Sequence, residues 1–232
     1  MEFEKFKERV YTVLEECGQM LEIREPTEKF CEWEQVKNEV YPILLPIKGN
    51  QLLLKQLVKR RLLDLAIVYV VRDSMEDSEQ ECIRISYRLF EQYGISKEAL
   101  HEQAMRNLEK DNYAFLDLDQ IALQLFTGRG KCEPVKKLRN GKTYMLRNCS
   151  GPYGAAGILN KKLLREIVGN KNCYIFPSSV HETVFMPVKR NLSKKMLDKM
   201  VEEINEDRES PELLSDHCYF YEGSCGELKM CA

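Results

Sequence analysis

Four side chains with reactive chemistry lie within five residues: Ser178, Ser179, His181 and Glu182. A hydroxyl, an imidazole and a carboxylate are the parts of an acyl-transfer site. Their spacing argues against that use. A triad draws its members from different elements, so that His bonds the Ser hydroxyl and the acid orients the His. Pro177-Ser178-Ser179 is also good turn chemistry. Cys149 or Cys173 paired with His181 offers a thiol version. A nucleophilic thiolate needs a cationic neighbour, and Arg147 stands beside Cys149. A metal site would need His181, His217 and a carboxylate such as Glu182 or Asp216, in a chain with 3 His and no H-E-x-x-H. No G-x-S-x-G elbow is present. A hydrolase or metal-dependent enzyme centred on His181 is therefore the alternative expectation. No catalytic, metal or cofactor-binding residue is assigned, and no cofactor is called for. Asn148–Gly157, NCSGPYGAAG, matches neither phosphate-loop pattern and reads first as a glycine-rich strand-to-helix connection.

The charge layout carries more. Residues 128–172 hold 11 Lys or Arg and 2 acids, a local charge of +9 in a chain whose total is −2. Residues 1–42 and 191–232 are each acidic by 5 charges. This asymmetry suits an acidic partner, with nucleic acid as a less favoured polyanion. Lys131, Lys136, Lys137, Arg139, Lys142 and Arg147 are the candidate partner- or polyanion-binding residues. The bland alternative is that they neutralise the acidic ends of their own chain.

The 44% apolar and 31% charged composition is that of a soluble globular protein. MEFEKFKERVY is charged from its second residue, unlike a signal peptide, and the apolar run Leu65–Val71 is too short to cross a bilayer. The expectation is a cytoplasmic protein with no membrane partner, its oligomeric state open. Nine cysteines without a C-x-x-C pair fit reduced thiols better than a zinc site or a disulfide framework.

Several elements must position these residues. Apolar spacing predicts helices over Phe3–Met20, Leu52–Leu63, Leu116–Phe126 and Ala155–Val168. Ser96 and Ser193 are N-cap candidates for two more. Tyr41–Ile47, bounded by prolines, suits an edge strand, and Asp64–Arg72 a central one. Glu81–Ser86 suits its hairpin partner. Thr143–Asn148, Cys173–Phe176, Thr183–Val188 and His217–Tyr221 complete the strands, with a hairpin around 173–188. The fold class is α+β, with mixed or antiparallel sheets and flanking helices. Residues 1–232 form one unit, divisible into lobes 1–115 and 116–232.

DLAIVYVVR at 64–72, YGISKEALHEQAMRNL at 93–108 and YIFPSSVHE at 174–182 resemble signature segments of one family. It is a domain-of-unknown-function family of full-length proteins from gut clostridia. The helical segment, with Leu100–His101 and Asn107–Leu108, also resembles the more distant YtpQ-like family. The resemblance covers most of the chain and implies one contiguous unit. It brings no activity, cofactor or catalytic residue, and the basic loop at 127–142 departs from it.

The expected function is a non-enzymatic module that binds an acidic protein or another polyanion. For the cysteines, thiol titration in denaturant without reductant is expected to find nearly all nine free. Recovery of stoichiometric zinc or a large thiol deficit would contradict this.

Overall fold

A computed structural model describes residues 30–72, 82–127, 133–189, 192–206 and 213–231. The helix expected at Phe3–Met20 lies outside the described residues. A first antiparallel sheet contains β1 (Val40–Pro46), β2 (Lys59–Leu62), β3 (Leu65–Arg72) and β4 (Cys82–Arg84). β3 lies between β1 and β2, and β4 extends the β2 side. Every residue of β3 is buried, which its unbroken LAIVYVVR run requires of a strand covered on both faces. The expected helix at Leu52–Leu63 is corrected here. α2 covers only Gln51–Gln56, and Lys59–Leu62 pairs with Leu65–Val68 as a hairpin. Helical spacing in this segment yields to the backbone bonds offered by β3.

Three further helices belong to this half of the chain. α1 is a single turn, Trp33–Val36. α3 (Tyr87–Tyr93) starts where the Ser86 hydroxyl accepts from Leu89 N–H at 3.2 Å. It stops at Gly94, whose φ of 61° suits glycine. α4 (Lys97–Lys110) is capped by Ser96, whose hydroxyl accepts from Ala99 N–H at 3.1 Å. Its buried Leu100, Ala104 and Leu108 sit at i, i+4 and i+8 on one face, and α4 packs on β1. Each buried Leu contributes about 1.5–3 kcal/mol relative to exposure. Asn107, buried on the same helix, donates to the carbonyls of Lys37 and Val40, both at 2.8 Å.

A second antiparallel sheet contains β5 (Tyr113–Asp117), β6 (Tyr144–Asn148), β7 (Cys173–Phe176), β8 (Glu182–Pro187), β9 (Tyr219–Glu222) and β10 (Glu227–Met230). Their order is β10-β9-β7-β8-β6-β5. β7 and β8 are antiparallel neighbours, from Cys173 opposite Pro187 to Phe176 opposite Val184, as the hairpin around 173–188 requires. The fold is α+β. The expected helix at Leu116–Phe126 begins later, because β5 takes Leu116 and Asp117; α5 is Leu118–Thr127. The expected helix at Ala155–Val168 is two pieces, a 3-10 helix at Gly154–Leu159 and α6 at Lys161–Ile167. Asn160 interrupts them. Its side chain caps α6 through Leu163 N–H and donates to Leu108 O. α7 (Lys194–Asn205) follows the predicted Ser193 cap.

One continuous apolar core runs through both sheets, from Ile43 and Val68 to Leu146 and Phe185. The 3-10 helix sits between them, touching β1 on one side and β6 and β8 on the other. A division at 115/116 falls inside β5. The Arg72 guanidinium, at the end of β3, meets Asp111 at 2.9 Å; their side chains are 6% and 4% exposed. Arg72 also lies over the Tyr41 ring at 3.7 Å, and Asp111 accepts from Asn148 Nδ2 at 2.6 Å. Asp64 makes a second tie, accepting from Ser215 Oγ at 2.7 Å and from the Tyr219 hydroxyl.

Truncating one member of a buried ion pair strands the other charge in a poorly solvating interior. Asp111→Ala should cost about 3–5 kcal/mol of unfolding free energy. The double variant Arg72→Met with Asp111→Leu should lose markedly less. Urea titrations compare them. A loss below about 1 kcal/mol for Asp111→Ala would mean that the pair behaves as a solvated one.

Candidate functional site

The turn joining β7 to β8 holds Ser178, Ser179, His181 and Glu182. The structure brings them together as turn scaffolding. Ser179 is fully buried, and its hydroxyl accepts from the backbone N–H of His181 at 3.1 Å and of Glu182 at 3.2 Å. The buried Ser178 hydroxyl donates to Glu182 O at 3.5 Å. The His181 ring is exposed, and its Nδ1 accepts from Tyr153 N–H at 3.3 Å. Neither Ser hydroxyl bonds the imidazole, so the relay needed for nucleophilic attack is absent from these residues.

The thiol and metal versions fare no better in geometry. Cys149 is exposed, and its backbone N–H bonds Asn112 O. Cys173 is buried in β7, where desolvation pushes its thiol far above the ordinary range. Among the described residues neither sulfur bonds His181. His217 lies against Asp64 instead, Nδ1 to Oδ2 at 3.3 Å, and Asp216 pairs with Lys48 at 3.0 Å. Among the described residues the one close-set group of potential metal ligands is Glu222, Cys225 and Glu227. Lys229 Nζ already occupies it, 3.2 Å from Glu222 and 2.7 Å from Glu227. His101, on α4, hydrogen-bonds the Tyr69 hydroxyl at 3.0 Å. Burial pushes that phenol up to about 12.

The glycines of NCSGPYGAAG serve packing. A Cβ on Gly154 would lie 2.3 Å from His181 O and 2.4 Å from Asn148 N, both backbone atoms. One on Gly157 would lie 2.7 Å from the Tyr113 ring. Two amides of the first turn of the 3-10 helix are already bonded, Ala155 N–H to Val180 O and Ala156 N–H to Tyr153 O, and are not open to a phosphate.

The basic residues make a surface of a different kind. β5 is an edge strand of the second sheet, and residues 134–137 pass beside it. Val135 N–H bonds Phe115 O at 2.7 Å, and Leu138 N–H bonds Ile167 O at 2.7 Å. Leu138 is buried, and Arg139 N–H bonds the Tyr144 hydroxyl at 3.0 Å. These anchors hold Lys136 and Lys137 exposed between them. Beneath lies an open hollow of about 440 Å³ with apolar walls from Phe115, Val135, Leu163 and Ile167, and with Lys136, Lys137 and Arg165 around it beside a single acid, Glu166. None of these three cations makes an ion pair among the described residues.

The remaining candidates part company. Lys142 is held by Asp117 at 3.3 Å and by Asp119, whose hydrogen bond shifts its ammonium upward. It lines a smaller hollow of about 200 Å³ with Lys189, Tyr174 and Met186. Arg147 is exposed on β6 opposite Glu182 and lines neither hollow. Arg139 is exposed. Lys131 lies outside the described residues. Arg165 was missed as a site residue, and only its place on α6, across from the 135–138 anchors, signals it.

The sequence matches a family of unknown function, DUF5688, over residues 1–223. The chain belongs to that family. No curated protein and no solved structure matches it.

Gly154→Ala forces a methyl group against immovable backbone. It should cost at least about 1–3 kcal/mol, the usual cost of overpacking. A circular-dichroism melt measures the loss. A variant as stable as the parent would show that the 3-10 helix can withdraw from the β7–β8 turn.

Proposed function

We propose that this DUF5688 protein is a non-enzymatic cytoplasmic module, acting as one unit, that binds an acidic protein partner along the edge of β5. A kinship with the YtpQ-like family and a clostridial source, drawn from the same segments, belong to this proposal and add no activity to it. The observation that carries it is the hollow beside β5, where Lys136, Lys137 and Arg165, which make no ion pair among the described residues, stand around apolar walls. Unpaired cations steer an acidic chain and raise its association rate. A recessed apolar floor accepts one large side chain, and buried anchors of that kind dominate interface energies. Lys142 contributes less, because Asp117 and Asp119 already neutralise it.

The test uses two probes on the full chain, a Glu-rich peptide carrying one Phe and a mixed-sequence single-stranded DNA of equal charge. Fluorescence anisotropy is read at low and near-physiological salt. The peptide should bind at low salt, weaken steeply as salt rises, and lose at least tenfold in affinity in K136E/K137E/R165E. Replacing its Phe by Ser should weaken it further. Peptide binding indifferent to the three reversals rejects the reading. DNA binding that is tighter and equally sensitive replaces the protein partner with nucleic acid.

A further inference from the structure

The C-terminal hairpin holds a pair of thiols that the surface reading leaves unused. β9 and β10 are antiparallel, with Met230 opposite Tyr219. The next position in register sets Cys231 opposite Cys218, and Cys231 N–H bonds Cys218 O at 2.9 Å. Their sulfurs are 3.1 Å apart. Opposed residues in an antiparallel pair have Cα atoms about 4.5–5.5 Å apart. A disulfide spans about 4.4–6.8 Å between Cα atoms, so the backbone is already placed for one. Both residues are free thiols in the structure.

The two sulfurs differ in setting. Cys218 is buried against the apolar cluster under α7, with Tyr174, Val184 and Leu197. Cys231 is half-buried at the edge of that cluster, where a solute can reach it. The hydrogen bond with Cys218 draws the Cys231 thiol below its ordinary range, and the Lys194 ammonium at the start of α7 adds to this. The same hydrogen bond, then burial, pushes Cys218 up. An accessible sulfur poised toward thiolate, backed by a buried partner, has the arrangement of an attacking and a resolving thiol.

We propose that Cys218 and Cys231 form a reversible disulfide when the protein meets a peroxide. The Cys231 thiolate attacks one peroxide oxygen. The O–O bond breaks, hydroxide leaves, and Cys231 becomes a sulfenic acid. Cys218 sulfur then attacks the Cys231 sulfur. The S–S bond forms, the S–O bond breaks, and the departing hydroxide takes the Cys218 proton as water. In sum, two thiols and one hydrogen peroxide give one disulfide and two waters; the sulfurs lose two electrons and the peroxide gains them. A dithiol reductant reverses the step by exchange. The product clamps β10, the outermost strand, to β9.

The experiment treats the full chain with hydrogen peroxide and maps peptides without reduction. Cleavage after Lys229 puts Cys218 and Cys231 on separate peptides. Cys225, which shares a peptide with Cys218, is removed by C225S. In that background the peptides 209–229 and 230–232 should be joined, two thiols should be lost, and dithiothreitol should restore both. In C218S, Cys231 should instead over-oxidise to sulfinic acid. If C218S does not fold, the mapping in C225S decides alone. No joined peptide, or Cys231 joined to another cysteine or to a second copy of the chain, overturns the proposal.

Discussion

The buried pair of Arg72 and Asp111 is the constraint on which the rest of the molecule depends. Each charge is nearly shut off from water, and each is tolerable there only because the other is present. Arg72 closes the central strand of the first sheet, and Asp111 stands just before the first strand of the second. The pair therefore fixes where one sheet ends and the other begins. Tyr41 covers the guanidinium from β1, and Asn148 reaches the carboxylate from β6. Four strands or their margins are tied to one point by directional bonds. The apolar core could tolerate small slips along its length; this polar centre cannot.

The strand that follows Asp111, β5, is also an edge of the second sheet. An edge strand carries unpaired backbone groups and invites further pairing. On β5 the chain meets this need in part, since Val135 N–H bonds Phe115 O, while Leu138 N–H fastens the same segment to Ile167 O on α6. The same bonds hold Lys136 and Lys137 outward. Protection of the edge and display of positive charge thus come from one short segment. At the opposite edge, β10 is guarded differently, by the Glu222, Glu227 and Lys229 network.

Much of the framework was legible in the residues. β3 is rich in β-branched residues and apolar up to Arg72, and β7 and β8 are apolar runs around a polar turn, so local composition and tertiary context agree. The serine caps at 96 and 193 work because capping is decided within one turn. Failures cluster where long-range bonds outweigh local pattern. Lys59–Leu62 looks helical by spacing, yet β3 recruits it as a strand. Asn160 breaks a periodic segment because Leu108, distant in sequence, accepts its side-chain amide. At the candidate site, composition exposed the basic segment but not its internal division. Nothing local marks Lys142 as bound by Asp117 and Asp119, or Arg165 as a neighbour of Lys137. The cluster at 178–182 misled for the opposite reason: reactive side chains close in sequence proved to be holding their own turn.

The ties made by Asp64 also order events in time. Its carboxylate is presented by the β2–β3 turn, within a sheet whose strands are near neighbours along the chain. Its partners Ser215 and Tyr219 lie 151 and 155 residues further on. During synthesis the first sheet can close while Asp64 still faces water. β7 and β8 can pair next, but β9 joins β7 only after the chain has been made as far as Tyr221. Closure of the second sheet and satisfaction of Asp64 are then a single event. A chain stopped short of β9 keeps one hydrated carboxylate where the folded molecule has a fastening, so a late strand also locks the first sheet to be built.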